Sequence, residues 1–230
     1  MGQSFTWAGG DRNTFQILTK RPERMLDFMR RLTWKWGGPW RMAETKDRPL
    51  NPIATLEGGG DATPLPNIWL GVSCEDQERA DERIPLLLQT PASVRFISAE
   101  PLLGPIDLRL RDRWYAQHAP FGRPNLSGKP IPQPVQLDWV IVGGESGTGA
   151  RPCDVTWIRS IVAQCRAAGV APFVKQLGKR PFGVQMAELE HSGAMDMHWT
   201  GADWPRDSHG GDPAEWPEDL RVREFPVVSR

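Results

Sequence analysis

The chain has 230 residues, with 28 Lys or Arg against 28 Asp or Glu, so its formal net charge is zero. A chain of this length can bury one sizeable core, and its charge balance excludes a supercharged nucleic-acid tail and a disordered acidic protein. No apolar run reaches the roughly 20 residues of a membrane span, and the first residues lack the pattern of a secretory signal. These features predict a soluble, cytoplasmic protein with no membrane contact.

Five short segments rich in β-branched and aromatic residues predict strands. They cover residues 15–20, 69–74, 94–100, 139–145 and 173–178. Helical patterns lie between several of them, and this alternation predicts parallel pairing. The predicted fold class is therefore α/β, a partial (β/α) barrel with about five parallel strands and an irregular C-terminal cap.

The predicted barrel domain spans residues 1–180, and the cap or tail spans residues 181–230. Two stretches rich in Gly or Pro, 34–67 and 109–136, interrupt the barrel as long insertions. Within the cap, residues 220–228 are a candidate edge strand.

Three helices are predicted between the strands. Pro22 stands at a first helical position, with Met25 and Met29 on one face. Residues 76–90 have a helical composition but contain Pro85, which predicts a kink or two short helices. Asp154 can cap a third helix, which ends at Gly169 and repeats apolar residues at helical spacing. Those residues are Ile158, Ile161, Val162 and Cys165.

One face of each predicted strand becomes polar toward its carboxyl end, where functional groups gather in parallel sheets and barrels. If these faces line one interior, five charged side chains share a single mouth: Lys20, Glu75, Glu100, Glu145 and Lys175. Their pairing would shift pKa values and offer general acid, base or metal-binding groups. We assign Glu100, Glu145 and Lys175 as candidate catalytic residues and assign no metal ligands. The alternative is that they form surface salt bridges.

Residues 142–151 form a glycine-rich loop between a strand and a helix. Backbone N–H groups in such a loop can approach an anion closely, and Arg151 could add a bidentate contact. The loop matches neither the dinucleotide-binding nor the P-loop fingerprint, and a tight structural turn is the alternative. Gly143, Gly144, Ser146 and Arg151 are assigned here as candidate ligand-binding residues.

Lys20 and Arg21 precede the first helix, where positive side chains beside a positive helix terminus favour an anion. They complete the ligand-binding candidates together with three polar strand-end residues, Ser73, Glu75 and Gln176. The rigid turn that follows Glu100 fixes the direction of its side chain, which makes Glu100 the leading carboxylate.

Residues 1–50 carry ten Lys or Arg and five Asp or Glu. Trp34, Trp36 and Trp40 alternate there with Lys35 and Arg41, a pattern that can stack on bases and contact phosphates. Nucleic acid is therefore a candidate partner of the basic N-terminal region. The other interpretation is that the basic N-terminal and acidic C-terminal regions form complementary solvated surfaces.

Six stretches taken together resemble the phage gene-product thirty-seven/sixty-eight family, a group of uncharacterised proteins of phages and bacteria. The stretches are residues 14–25, 67–73, 80–87, 100–105, 138–147 and 173–176. The resemblance implies a radical-SAM-like barrel, and with it S-adenosylmethionine and a [4Fe–4S] cluster as cofactors. It also implies the cytoplasm of a bacterial host if the chain is phage-encoded.

Members of that family begin with a segment bearing three closely spaced cysteines, which would hold the cluster. Here Cys74, Cys153 and Cys165 are too far apart to match those ligands, and we expect buried, reduced thiols. The expectation is therefore a chain without its own cluster, whose missing part is a separate chain or was lost by truncation. An open half-barrel would leave sheet edges that favour a separate N-terminal half or self-association.

Three functional hypotheses follow. The first is an uncharacterised phage-type protein that binds an anionic or nucleotide-like ligand at the strand ends. The second is a non-catalytic protein that binds another protein or nucleic acid. The third is a metal-dependent or acid–base enzyme that uses carboxylates.

Overall fold

A computed structural model describes residues 13–34, 67–110, 136–183 and 205–227, except the side chains of residues 30–34. Most of both predicted insertions lies outside these ranges. The tryptophan and basic side chains proposed for nucleic-acid contact also lie outside them, so that partner stays a prediction.

Five parallel strands form the central sheet, and their existence confirms the predicted α/β fold of a partial (β/α) barrel. They are β1 (Phe15–Thr19), β2 (Ile68–Ser73), β3 (Val94–Ala99), β4 (Trp139–Gly143) and β6 (Ala171–Gln176). Their spatial order is β1-β2-β3-β4-β6, with every neighbouring pair parallel. Two short strands, β5 (Cys153–Asp154) and β7 (Pro181–Phe182), pair separately.

The helices are α1 (Pro22–Trp34), α2 (Gln77–Gln89) and α3 (Val155–Ala168). The prediction of two short helices is wrong, because α2 continues through Pro85 as one helix; the alternative prediction, a kink at Pro85, stays a prediction. A proline deprives the carbonyl four residues earlier of its helical partner. That residue is Asp81, which is exposed, so water can replace the lost bond. Within the described ranges, no helix is long and apolar enough to cross a membrane.

The predicted boundaries of α3 are confirmed. The Asp154 side chain accepts a hydrogen bond from the backbone N–H of Thr156 at 2.8 Å, and Gly169 ends the helix in a left-handed conformation. The four apolar residues predicted for one face are all buried. Periodicity and capping residues therefore located this helix correctly.

The two faces of the sheet carry different apolar clusters. One face packs under the helices in the larger core, which includes Leu70, Val72, Ile97, Val140 and Val174. The opposite face carries an aromatic cluster of Trp69, Phe96 and Trp139 together with Val94. Because side chains alternate along each strand, the residues of this second face continue into the polar strand ends.

The C-terminal segment, residues 205–227, packs against β6. It contains two short 3₁₀ turns, Pro213–Glu215 and Glu218–Leu220, and its Trp216 is fully buried in the larger core. The predicted edge strand at 220–228 is wrong for the described residues, because they make one isolated antiparallel bridge, between Phe173 and Arg223. Leu220, the first residue of the predicted strand, instead ends the second 3₁₀ turn and is buried.

Candidate functional site

The carboxyl ends of β2 and β3 place two acidic residues side by side. Ser73 pairs with Ser98 in the sheet register, so Glu75 and Glu100, each two positions further, leave neighbouring strands at the same edge. The backbone N–H of Leu103 donates to the carbonyl of Glu75 at 2.9 Å and ties the two strand ends together. This edge, with the side chains that reach it from the other strands, is called the mouth below.

Glu75 is the most buried of the predicted carboxylates and binds two cations. Its Oε1 pairs with Nζ of Lys20, and its Oε2 accepts from Arg83 Nη1 at 3.1 Å. Burial alone would raise the pKa of Glu75, but the Lys20 hydrogen bond, a bond from its own backbone N–H and the two positive charges outweigh it. The pKa therefore lies below its ordinary value, and Glu75 is ionised near neutrality.

Arg83 is a site residue that the sequence reasoning did not assign. It extends from α2, is 8% exposed, and its Nη1 also donates to the carbonyl of Ser73 at 2.9 Å. A signal was available, because Arg83 shares the buried face of its helix with Ala80, Ile84 and Leu87. A charged residue on an apolar helix face requires a buried partner, and here that partner is Glu75.

Glu100 lies at the centre of a second group of polar residues. Its Oε2 accepts from Ser98 Oγ at 3.1 Å, and its Oε1 lies 3.3 Å from Nζ of Lys175. Only 14% of the Glu100 side chain is exposed, against 56% for Lys175. The exposed ammonium is therefore accessible from solvent while the carboxylate beneath it is mostly covered.

This contact crosses β4, because Glu100 follows β3 whereas Lys175 lies on β6. Gly143 of β4 makes the crossing sterically feasible. A Cβ atom there would lie 3.0 Å from Oε1 of Glu100 and 2.9 Å from the carbonyl of Gln176. The glycine thus leaves room for the Glu100 carboxylate.

The pairing of β4 with β6 contains a register shift at Lys175. Val142 pairs with Val174, but the next residue of β4, Gly143, pairs with Gln176. Lys175 is therefore an extra residue opposite β4, a β-bulge that changes the direction of its side chain. The sequence alternation alone did not predict this bulge.

Glu145 and Arg151 bind each other across the glycine-rich loop. The Glu145 carboxylate accepts from the Arg151 backbone N–H at 3.0 Å and from its Nε at 2.7 Å. The hydrogen bond from the Arg151 side chain is the main cause that lowers the pKa of Glu145 to about 2. Glu145 is therefore ionised at neutral pH and is not suited to act as a general acid there.

The backbone of the loop is largely engaged within the protein. The Gly144 N–H donates to the Gln176 carbonyl at 3.1 Å, and the Gln176 side chain donates back to the Gly144 carbonyl at 2.8 Å. A Cβ atom on Gly144 would come within 2.2 Å of the Leu177 carbonyl, so close approach of the chains requires this glycine. The predicted direct contact between the Gly144 N–H and an anion would need this bond to break. Ser146 is exposed in the loop.

Positive side chains outnumber negative ones at the mouth. Arg21 is exposed two residues after the end of β1. The hydrogen bond with Glu145 is the main cause that raises the pKa of Arg151, and the charge of Glu75 adds to the shift, which links that loop electrostatically to the Glu75 group. Among the described residues, four cations and three carboxylates form the ion pairs of this edge. The cations are Lys20, Arg83, Arg151 and Lys175, and the carboxylates are Glu75, Glu100 and Glu145.

The residues of the described ranges do not fit an iron–sulfur cluster. Cys74, Cys153 and Cys165 are all free and buried, and desolvation is the main cause that raises the pKa of each thiol to about 12. These ranges also contain no group of three His, Cys, Asp or Glu side chains arranged to hold a metal ion. Glu75, Glu100 and Glu145 each bind a cationic side chain instead.

The comparisons with known proteins identify a family. No curated protein and no solved structure matches the chain. A family model described as a protein of unknown function, DUF5131, matches residues 6–205. This range covers most of the chain, including all five strands of the central sheet and the residues of the mouth. The chain therefore belongs to the DUF5131 family.

Proposed function

We propose that the mouth binds an anionic or nucleotide-like ligand, in a phage-type cytoplasmic protein built on a radical-SAM-like barrel. The observation that carries the proposal is that two lysines, Lys20 and Lys175, reach one sheet edge and are both more than half exposed. An ammonium group has three donors, and each of these groups has one carboxylate partner among the described residues. Oxygen atoms of a ligand can use the remaining donors.

The direction of the two lysines supports one shared ligand. Lys20 reaches from β1 toward the end of β2, and Lys175 reaches from β6 across β4 toward the end of β3. Their carboxylate partners follow neighbouring strands, whose axes lie about 5 Å apart in a sheet. A phosphate or diphosphate group above Glu75 and Glu100 would then contact both ammonium groups.

Glu100 and Lys175 are the proposed catalytic pair if the bound ligand reacts. Both carry groups that can exchange a proton with a ligand, and Ser98 orients the Glu100 carboxylate. Glu145 is proposed to hold Arg151 at the rim, because its low pKa keeps the carboxylate charged.

Isothermal titration calorimetry with inorganic pyrophosphate, ADP and adenosine tests the binding proposal. Pyrophosphate and ADP are expected to bind and adenosine not, because the proposed contacts go to phosphate oxygens. Lys20→Ala and Lys175→Ala should each weaken binding about tenfold or more, since a hydrogen bond to a charged group contributes about 1.5–3 kcal/mol.

Arg166→Ala is the matched control. Arg166 is exposed in the last turn of α3, so this substitution removes one positive charge at a position away from the mouth. Equal losses in this control and in the lysine variants would show that only the overall charge matters. Undetectable binding of both phosphate compounds to the parent protein would refute the proposal.

A second candidate function, self-association, is favoured by the open edge of β1. Phe15 donates its N–H toward β2, so the N–H and C=O groups of Gln16 and Leu18 point away from the sheet. The described residues provide no partner for these groups, and Leu18 is 48% and Ile17 47% exposed. Such an edge is a template for pairing with another strand.

We propose that a second copy of this chain pairs with it there, antiparallel about a two-fold axis. Gln16 then faces Leu18 of the second copy, and Lys20 faces Thr14, so no like charges oppose one another. Association would stop at a dimer, because the backbone bonds that β6 makes with Val222 and Glu224 cover the β6 edge.

Light scattering after size-exclusion chromatography tests the dimer. The parent protein should elute as a dimer and Leu18→Lys as a monomer, whereas Phe182→Lys should leave the dimer intact. Phe182 is a matched control because it is 46% exposed away from β1. A monomeric parent protein at its highest soluble concentration would exclude this pairing.

A further inference from the structure

Arg223 of the C-terminal segment connects that segment to the edge of β6. Its Nη2 donates to the carbonyl of Lys175 at 3.2 Å, and its Nε donates to the carbonyl of Val174 at 3.3 Å. The same Nη2 also donates to the Gly211 carbonyl at 3.2 Å. One guanidinium group therefore joins the two residues at the β6 bulge to a loop far away in the sequence.

The guanidinium also lies between two aromatic rings. Its central carbon is 5.6 Å from the ring centroid of Phe173 and 5.3 Å from that of Trp216. Trp216 is fully buried, and its ring N–H donates to the Gly210 carbonyl at 3.1 Å. Cation–π contacts on both sides fix the plane of the guanidinium and so the direction of its donors.

Backbone bonds hold the surrounding chain in place. Val174 donates its N–H to the Val222 carbonyl at 2.8 Å, and Glu224 donates its N–H to the Pro172 carbonyl at 2.9 Å. Pro172 is compatible with this edge strand because the position of its missing N–H faces away from β4. The last strand of the sheet is thus fixed on its outer side by the C-terminal segment rather than by another strand.

The support by the C-terminal segment concerns the mouth because Lys175, which reaches Glu100, lies at the β6 bulge. Lys175 has no register partner on β4, whereas Val174 and Gln176 each have one. Arg223 binds the Lys175 carbonyl from the opposite side. The long side chain that reaches Glu100 starts from this supported peptide.

We infer that Arg223 is a positioning residue for the mouth: it holds the β6 bulge so that Lys175 reaches Glu100 and the ligand. The inference rests on the proposed function, in which Lys175 contacts the anion. Arg223 itself does not contact the ligand. The C-terminal segment is then part of the binding machinery through a residue that no site motif would identify.

A double-mutant cycle with pyrophosphate tests the inference. Arg223→Lys keeps the charge and the cation–π contact but loses the fork that spans several carbonyls, and should weaken binding about three- to tenfold. In a Lys175→Ala background, Arg223→Lys should cause no further loss, because the residue through which it acts is gone. Arg221→Lys is the matched control, since Arg221 donates to the Trp216 and Ala214 carbonyls within its own segment.

Acylation of lysines under native conditions, followed by mass spectrometry, gives a readout that needs no ligand. Loosening the bulge should raise the acylation rate of Lys175 in Arg223→Lys and Arg223→Ala, while the exposed Lys179 serves as the internal reference. Equal Lys175 rates in the parent and both variants would refute the positioning role. Unchanged pyrophosphate affinity in Lys175→Ala would instead refute the proposed function, and the acylation result would still stand.

Discussion

Replacing Arg83 with Met is the most direct test of how the mouth is built. The change keeps an unbranched side chain of similar reach but removes the charge and the donors to Glu75 and Ser73. Removing one member of a buried ion pair costs about 3–5 kcal/mol, but Lys20 remains bound to Glu75. We therefore expect the free energy of unfolding to fall by about 2–4 kcal/mol near neutral pH.

The loss should depend on pH in a direction fixed by Glu75. The folded-state pKa of Glu75 lies below its ordinary value of 4.5, so the carboxylate stabilises the fold above that pH. This contribution is lost as the pH falls through the folded-state pKa. In Arg83→Met, one of the positive charges that lower the pKa of Glu75 is missing, whereas burial still raises it. The pKa of Glu75 should therefore be higher in the variant than in the parent protein. The difference between parent and variant should shrink below pH 4.5.

Urea unfolding followed by tryptophan fluorescence at several pH values measures both quantities. Arg79→Met is the matched control on the same helix, because Arg79 pairs with Glu78 and Glu82 at the surface. Exposed pairs of this kind are screened by solvent and contribute little to stability. Equal losses in the two variants, or an Arg83→Met loss that does not change with pH, would contradict the buried pair as the cause.

Two further predictions concern groups whose surroundings are fixed by packing. Gly143→Ala should lower the free energy of unfolding by about 1–3 kcal/mol, because the new methyl group meets Glu100 and the Gln176 carbonyl. Gly104→Ala should change the free energy of unfolding little, because a Cβ atom there meets nothing within 4 Å. Similar urea midpoints for the Gly143 and Gly104 variants would disprove the steric explanation. All three cysteines should resist iodoacetamide near neutral pH in the native protein and react after denaturation, because burial raises the pKa of each thiol to about 12. Rapid native labelling of any of them, measured by mass spectrometry, would show that its thiol is accessible.

The sequence by itself determined the order and type of most elements. Alternating β-branched segments and helical periodicity are local properties, and so are the capping by Asp154 and the end at Gly169. Parallel pairing followed from the connections, and it brought the carboxyl ends of the strands to one edge. At Pro85 the local pattern left two outcomes open, a kink or two short helices, and the structure contains one continuous helix.

Only the tertiary structure decided which charged groups bind each other. Glu75 and Glu100 were predicted from strand ends, but the Arg83 pair depends on how α2 packs over β2. The contact of Glu100 with Lys175 passes a glycine on the intervening strand and starts at a bulge in β6. Arg223 reaches Lys175 from 48 residues further along the chain. Periodicity and spacing describe near neighbours, whereas contacts between distant segments depend on packing and register, which no local pattern contains.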